Sequence, residues 1–448
     1  MFESLAGSPL RGIVATFVLL SPSLLPISSE AAAQEPIEVV SVEAQIHLEE
    51  AISMALTRNP GYAQAEISLE NAFGSERTAR GAFLPSLSVS SGTTLSSSAR
   101  FDPATERQVT GSSQSLSGGL SLGYDLFTGG RNRAELERAG IETEAADVRL
   151  EGQRFEVIFR TKQAFFDALR HTDLVAVAES RVQRAEENLE QVRRRVEMGS
   201  ATASDSLRTR LELANARQTA LQSRNQLRSA RMALGRQVGI SGPVDAVRPS
   251  VLEPSPLPLT PEEIYELAET RSPSVRAAKL SRAADQAQVA SARASYLPSL
   301  RIGSGYDWSN QDWAFDGGRT SWRVSLSVSY PIFNGFVRET NVQRAQSQVR
   351  LAQLVEEDAR LEARQAVDHV LQGIHTAEEA IALAEEAVLV AREDLRVVQE
   401  RYDVGVATVF EVVTSQVALD QAEADRVTAR YDYLLARAEL EAILGREL

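Results

Sequence analysis

The chain has 448 residues, with 61 acidic against 47 basic side chains, a formal net charge of -14 and no cysteine. So acidic a chain is a poor partner for nucleic acid, because phosphate binding needs clustered positive charge. Without thiols there are no disulfides, thiolate metal sites, cysteine nucleophiles or cysteine-linked N-terminal lipid anchor.

The first stretch reads as a secretory signal: Arg11, an apolar run from Gly12 through Val18, Leu19 and Leu20 to Leu25, then Ala31-Ala32-Ala33 before Gln34. This predicts a signal peptide over residues 1–33, cleaved after Ala33, and an exported protein. The other reading, an N-terminal membrane anchor, suits the run less well, because Ser21, Pro22 and Ser23 interrupt a segment already short for a bilayer. No later run of eighteen apolar residues occurs, which argues against a helical span in the mature chain and leaves a β-barrel open.

The mature chain is one unit written twice, residues 34–240 and 261–448, around a proline-rich linker over 241–260 (Pro243, Pro249, Pro254, Pro256, Pro258). Each copy begins with a helical pattern, Ile46 to Ala82 and Pro261 to Tyr296, that stops at Leu84-Pro85-Ser86-Leu87 and Leu297-Pro298-Ser299-Leu300. A hairpin is predicted next, over 86–126 and 299–330. Leu87 and Val89, then Leu116, Leu120, Leu122 and Leu126, alternate with small polar residues around a polar loop from Ser96 to Ser115. In the second copy Leu300, Ile302, Tyr306 and Trp308 are answered by Trp322, Val324, Leu326, Val328 and Tyr330. Period-two alternation with aromatics near the ends fits a lipid-facing hairpin, and it also fits a half-buried hairpin in a soluble sheet.

The strands end at Phe127-Thr128-Gly129-Gly130 and Phe333-Asn334-Gly335, and long helices are predicted over 131–198 and 336–404, each roughly 100 Å at 1.5 Å per residue. Their lower halves carry strict heptads: Val175, Ala178, Val182, Ala185, Leu189, Val192 and Val196, then Ile381, Ala384, Val388, Ala391, Leu395, Val398 and Tyr402. A sustained 3.5-residue period imposes a left-handed coiled coil. Tip turns are predicted at 199–202 and 405–408, in the twin stretches Arg195-Val196-Glu197-Met198-Gly199 and Arg401-Tyr402-Asp403-Val404-Gly405. Return helices come next, over 203–235 and 409–444, with expected stripes of Leu207, Leu211 and Ala214, and of Val413, Val417, Ala424, Val427, Tyr431 and Leu434, which Asp420 interrupts.

The return arms are half the length of the long helices. The expectation is that the 203–235 arm and the Pro261–Tyr296 helix stack end to end, and that the N-terminal helix supplies the upper half for the last arm. Four strands per chain cannot close a membrane barrel. Three copies would give twelve strands and twelve helical columns, and the arithmetic alone also admits four copies.

The duplicated Leu-Pro-Ser-Leu corners, the Phe-x-Gly exits and the Arg401-Tyr402-Asp403-Val404-Gly405 tip resemble the TolC-like outer membrane efflux protein family over essentially the whole mature chain. That resemblance implies a mixed α+β membrane protein, a homotrimer whose twelve-stranded outer-membrane β-barrel continues into a long periplasmic α-helical barrel. It implies localisation in outer-membrane lipid with a large periplasmic extension. It also implies docking on a periplasmic adaptor (membrane fusion) protein and, through it, on an inner-membrane transporter of RND, ABC or MFS type. On these implications Gly199, Ser200, Ala201, Thr202, Gly405, Val406, Ala407 and Thr408 are adaptor-docking tips, and Asp205, Tyr402 and Glu411 form a periplasmic gate. The alternative for Asp205 and Glu411 is ordinary helix N-terminal charge stabilised by the dipole. Two positions depart from the family, Ala407 where members carry an arginine and Thr414 where they carry an acid, which implies a gate tied differently or more weakly.

An enzyme is hard to build here. His47, His171, His369 and His375 form no i,i+4 metal pair, neither Lys162 nor Lys279 follows a glycine-rich loop, and Gly303-Ser304-Gly305 is too short for a dinucleotide fingerprint. No cofactor, metal or catalytic residue is expected. The function implied is a passive conduit of a tripartite efflux or type I secretion system, opened by untwisting of the tips. The alternatives are an exported structural coiled-coil protein without channel activity, or the adaptor itself, which would require a lipoyl-like or β-barrel domain between the hairpin arms.

Overall fold

A computed structural model describes residues 44–102, 107–249 and 257–448. The predicted signal peptide, its cleavage site and the linker prolines Pro254 and Pro256 lie outside the described residues. The chain runs β1 (Ala44–Ile46), α1 (Leu48–Arg58), α2 (Pro60–Gly81), β2 (Ser86–Asp102), β3 (Arg107–Phe127), α3 (Arg131–Glu197), α4 (Ala203–Val238) and β4 (Val244–Ala246). It continues through α5 (Pro261–Arg271), α6 (Pro273–Ala294), β5 (Ser299–Asn310), β6 (Arg319–Ser329), α7 (Val337–Asp403) and α8 (Val409–Leu444).

Two long helices of 67 residues, α3 and α7, are the uprights. Toward their C-terminal ends the neighbours follow the order α4, α3, α8, α7; toward their N-terminal ends the order is α2, α3, α6, α7. Each expected half-length helix above the belt is in fact two. They break at Asn59-Pro60 and Ser272-Pro273, because proline holds the residue before it extended (ψ 122° and 143°). Each break is recapped, with Asn59 Oδ1 accepting from the Gly61 amide at 2.8 Å and Ser272 Oγ from the Val275 amide at 3.4 Å.

The end-to-end pairing of the half-length helices is the reverse of the one expected. The end of α4 meets the end of α1, where a Cβ on Gly239 would fall 2.8 Å from the Arg58 Cβ, and the end of α8 meets the start of α6, where a Cβ on Gly445 would fall 2.7 Å from Pro273 Cγ. The cause is a parallel pairing of β1 with β4, Ala44 opposite Val244, which ties the chain entering α1 to the chain leaving α4. Both joints lie in a belt filled by Phe165, Leu169, Leu234, Val238 and Tyr431 on one side and by Ile264, Val367, Val370, Tyr433 and Leu440 on the other.

The heptad seam is small and apolar: Ala178, Ala185, Leu189 and Val192 of α3 are buried, as are Ala384, Val388, Val398 and Tyr402 of α7. The stripe expected on the first return arm is corrected. Leu207 and Leu211 are 66% and 61% exposed, and the face of α4 turned to α3 carries Thr209, Leu213, Ala216 and Ala220 instead. Small residues let the two axes approach, so the larger leucines are left on the outer face.

Strands β2, β3, β5 and β6 form one antiparallel sheet in that order. The polar stretch expected to be a loop between Ser96 and Ser115 is strand wherever it is described, with β2 of 17 residues and β3 of 21. Serines face one another across the strands, Ser88 with Ser121 at 2.6 Å and Ser96 with Ser113 at 2.7 Å, so polarity here marks a face rather than a turn.

The belt supplies a direct test. A Cβ on Gly235 would fall 2.0 Å from the Gly242 carbonyl oxygen, while one on Gly140, also helical, meets nothing within 4 Å. Gly235→Ala is expected to destabilise the fold by about 1–3 kcal/mol through overpacking against backbone, and Gly140→Ala to be neutral or stabilising by up to about 1 kcal/mol; thermal unfolding followed by circular dichroism reads both.

Candidate functional site at the hairpin tips

Both hairpins turn in the same way. Gly199 (φ 74°) and Gly405 (φ 82°) occupy the left-handed region that other residues rarely adopt, and the next amides, Ser200 and Val406, donate to the carbonyls of Arg195 and Arg401, each at 2.8 Å. The return helices then start with capping boxes. The Asp205 carboxylate accepts from the Thr202 amide at 3.0 Å and hydroxyl at 2.7 Å, while Thr202 Oγ1 accepts from the Asp205 amide at 3.2 Å. Glu411 repeats this with Thr408, accepting from its amide and hydroxyl at 3.1 Å. The hydrogen bonds from the Thr408 amide and hydroxyl hold the Glu411 carboxyl below the ordinary glutamate range.

Of the other expected tip residues, Gly199, Ser200, Thr202, Gly405, Val406 and Thr408 are exposed, Ala201 is half-buried and Ala407 is buried. Ala407 belongs to a small core with Val192, Val398, Tyr402, Val409 and Val412 that joins the two hairpins. Tyr402 packs inside it, and its hydroxyl is buried without a hydrogen-bond partner among the described residues. Burial pushes its phenol up, with Asp205 and Asp403 adding to the effect and Arg195 opposing it. No hydrogen bond joins Asp205 to Tyr402, since the Asp205 carboxylate is turned into its own cap.

A different side chain ties the tips. Arg195, near the end of α3, donates to the Tyr402 carbonyl at 2.8 Å and pairs with Asp403 at 3.0 Å, its guanidinium lying 4.2 Å from the centre of the Tyr402 ring. Gln191, one turn earlier, also donates to Asp403 at 2.7 Å. The Arg195 side chain is only 20% exposed while that of Asp403 is half exposed, so the carbonyl bond and the ring contact carry more of the energy than the screened ion pair. Sequence reading passed over Arg195, although it stands where Arg401 stands in the second copy. Arg401 turns to Glu411 instead, at 3.6 Å.

Further from the tips the hairpins are joined by charge. Arg181 bridges Glu212 of α4 at 2.7 Å and Asp420 of α8 at 3.3 Å, Arg184 pairs with Asp420, and Glu423 lies 3.7 Å from Arg184 and 3.6 Å from Arg392 of α7. Asp420 interrupts its apolar stripe because it faces two arginines of the other hairpin. Burial nonetheless pushes its carboxyl upward. Among the described residues no three His, Cys, Asp or Glu side chains converge as metal ligands, and no helix is long and apolar enough to cross a membrane.

Two twin hairpins on a four-stranded sheet, duplicated in one chain, are matched by a family profile described as outer membrane efflux protein over residues 51–239 and 264–446. The chain belongs to the outer membrane efflux protein family. As an efflux protein it is an outer-membrane channel component with a periplasmic helical extension and is not an enzyme. It is similar to Protein CyaE of Bordetella pertussis, 27% identical over 404 residues that cover 87% of this chain and 81% of the relative. It is also similar to the outer membrane protein TolC of Escherichia coli, 23% identical over 416 residues covering 89% and 82%. Among solved structures, the efflux protein superposes on a membrane protein from Pseudomonas aeruginosa with a TM-score of 0.77 at 22% identity, covering 91% of this chain and 92% of the other. It superposes on the open-state MtrE outer membrane channel of Neisseria gonorrhoeae with a TM-score of 0.76 at 22% identity, covering 89% of each.

Loss of the clamp should loosen the tips and spare the belt. Arg195→Ala is expected to lower local stability by about 1–3 kcal/mol, as for lost hydrogen bonds to a charged group. The readout is faster amide exchange near Val192 and Tyr402 with unchanged exchange at Phe165 and Val367. Arg195→Lys, which keeps the charge but not the planar stack, should restore only part.

Acid should act on the second tip. Because the folded-state Glu411 value is depressed, its cap contributes stability above the ordinary glutamate value of about 4.3 and loses it as pH falls through the lower folded value. Amide exchange at Val409 to Val412 should accelerate in that window, and Glu411→Gln should flatten the pH response.

Proposed function

We propose that this efflux protein works as a homotrimer, a passive conduit closed at its periplasmic end by the two hairpin tips of each copy. The observation that carries this is the unfinished protomer. Its sheet has two free edges, β2 and β6, and its lipid-like face is bare, with Val89 80% and Trp322 77% exposed. An open sheet is not tolerated in hydrocarbon, because unpaired backbone groups have no water to bind. Three copies give twelve strands, an even number that closes. The helical layer is unfinished in the same way: Leu207, Leu211 and Leu221 of α4 and Leu383, Leu389 and Val390 of α7 lie exposed on its two flanks, where neighbouring copies would meet.

In this reading Gly199, Ser200, Ala201, Thr202, Gly405, Val406 and Thr408 form the surface that meets a periplasmic adaptor, with Ala407 buried beneath it rather than on it, and an inner-membrane transporter supplies the energy. The exposed Met198, Val404, Val406 and Phe410 supply apolar contact there. Asp205, Tyr402 and Glu411 constitute the gate, with Arg195 as the tie within each copy that replaces the family arginine absent at Ala407. Opening is an untwisting of one hairpin against the other. Three Glu411 carboxylates around a constriction would favour cations.

Single-channel recording of the protein extracted in mild detergent tests the gate. Arg195→Ala is expected to raise open probability, and Asp205→Ala with Glu411→Ala to raise conductance and reduce cation preference. Unchanged traces for all three would remove the gate from these residues, and a monomer in detergent without conductance would remove the trimeric conduit.

A further inference from the structure

The two faces of the sheet differ in more than polarity. Strand register places Leu87, Val89, Leu120, Leu122, Tyr124, Ile302, Tyr306, Trp322, Val324 and Leu326 on one face. On the other face every described residue from Ser86 to Ser98, Gly111 to Asp125, Ser299 to Ser309 and Arg319 to Ser329 is serine, threonine, glycine, aspartate or arginine. All the charges of these strand segments stand on that face: Asp125, Arg301, Asp307, Arg319 and Arg323. The wall is thus a sheet of small hydroxyl and hydrogen side chains in which only these five are large or charged.

Glycines are set beneath the charged groups. A Cβ on Gly123 would fall 2.8 Å from an Arg301 guanidinium nitrogen, one on Gly119 would fall 2.8 Å from an Asp307 carboxylate oxygen, and Arg323 stands directly opposite Gly305. Arg301 and Asp307 therefore lie flat along the sheet. Arg301 is drawn to Asp125 at 3.7 Å, whereas among the described residues no ion pair holds Arg319 or Arg323. Along β6 the level of Arg301, opposite Ser327, then Arg323, then Arg319 are four residues apart, roughly 13 Å at about 3.3 Å per residue.

We propose that Arg319 and Arg323 give the barrel section of the conduit a positive, anion-favouring lumen, opposite in sign to the Glu411 ring proposed at the tips. This rests on the reading that the sheet closes as a membrane barrel with its polar face inward. Three arginines against two aspartates leave each copy with one net positive charge on this wall, in a chain whose total is -14. Rings of like charge set the ion preference of a pore, and a low-dielectric wall focuses their field. The chemical class favoured in this section is an anion, carboxylate or phosphate, small enough to pass and held by nothing but the ring potential.

The test replaces both arginines by the residue that the rest of the wall carries. In planar bilayers under a potassium chloride gradient, Arg319→Ser with Arg323→Ser is expected to lower the chloride-to-potassium permeability ratio by roughly twofold or more, a potential change of order RT. Arg319→Lys with Arg323→Lys should retain the ratio. The absence of native cysteine allows a separate check of the barrel itself. Arg323→Cys should react with a membrane-impermeant thiol reagent and Val324→Cys should not. Equal reactivity of the two overturns the barrel reading. Alternating reactivity with an unchanged or raised permeability ratio in the serine variant overturns the lumen assignment alone.

Discussion

A 3.5-residue repeat of small apolar side chains is the constraint on which the rest of this molecule depends. A helix of 67 residues has no core of its own and stays ordered in water only by keeping one stripe covered along its length. Alanine at positions such as Ala178, Ala185, Ala216 and Ala220 brings the partner close. Because each return arm covers only half of its upright, the remainder must be covered by other helices, and the joints between halves need a packed belt. The belt, the parallel β1–β4 pair and the glycines at the joints all answer that requirement.

The hairpins are held internally by apolar seams and, between belt and tips, are joined to one another by ion pairs. Arg181 and Arg184 against Asp420 and Glu423 contribute little net stability once desolvation is counted, but they fix which turn of α8 faces which turn of α3. A contact of this kind separates at lower cost than a close-packed seam, since each charge can be rehydrated as it leaves. The tip clamp has the same character, an arginine on a carbonyl and a ring face. Under the gate proposed above, one hairpin would shift against the other while each remains intact, parting the small core around Tyr402 and Ala407 as it moves.

The sheet answers to a different solvent. In lipid the backbone must be fully paired, and so the two free edges of one protomer are a demand for further copies. In the proposed barrel the outward face would meet this medium with aliphatic and aromatic side chains, and the inward face would present mainly serine and glycine. Arg301 and Asp307 lie flat over Gly123 and Gly119.

The period-two and heptad patterns, the twin glycines and the proline corners were legible in the amino-acid order, because each is a local rule acting over a few residues. Element type, the duplication and the tip positions therefore came from sequence alone. Four features did not. The serine-rich segment from Ser96 to Ser115 read as a loop, since composition does not reveal that serines pair across strands. Leu207 and Leu211 read as core, since hydrophobicity does not reveal which face of α4 the narrow alanine seam selects. The stacking of α1 on α4 and of α6 on α8, and the grip of Arg195 on the chain at Tyr402, depend on contacts between residues some two hundred positions apart. Only folding brings such residues within reach, and which of several equivalent arginines is brought there is decided by helix register in three dimensions.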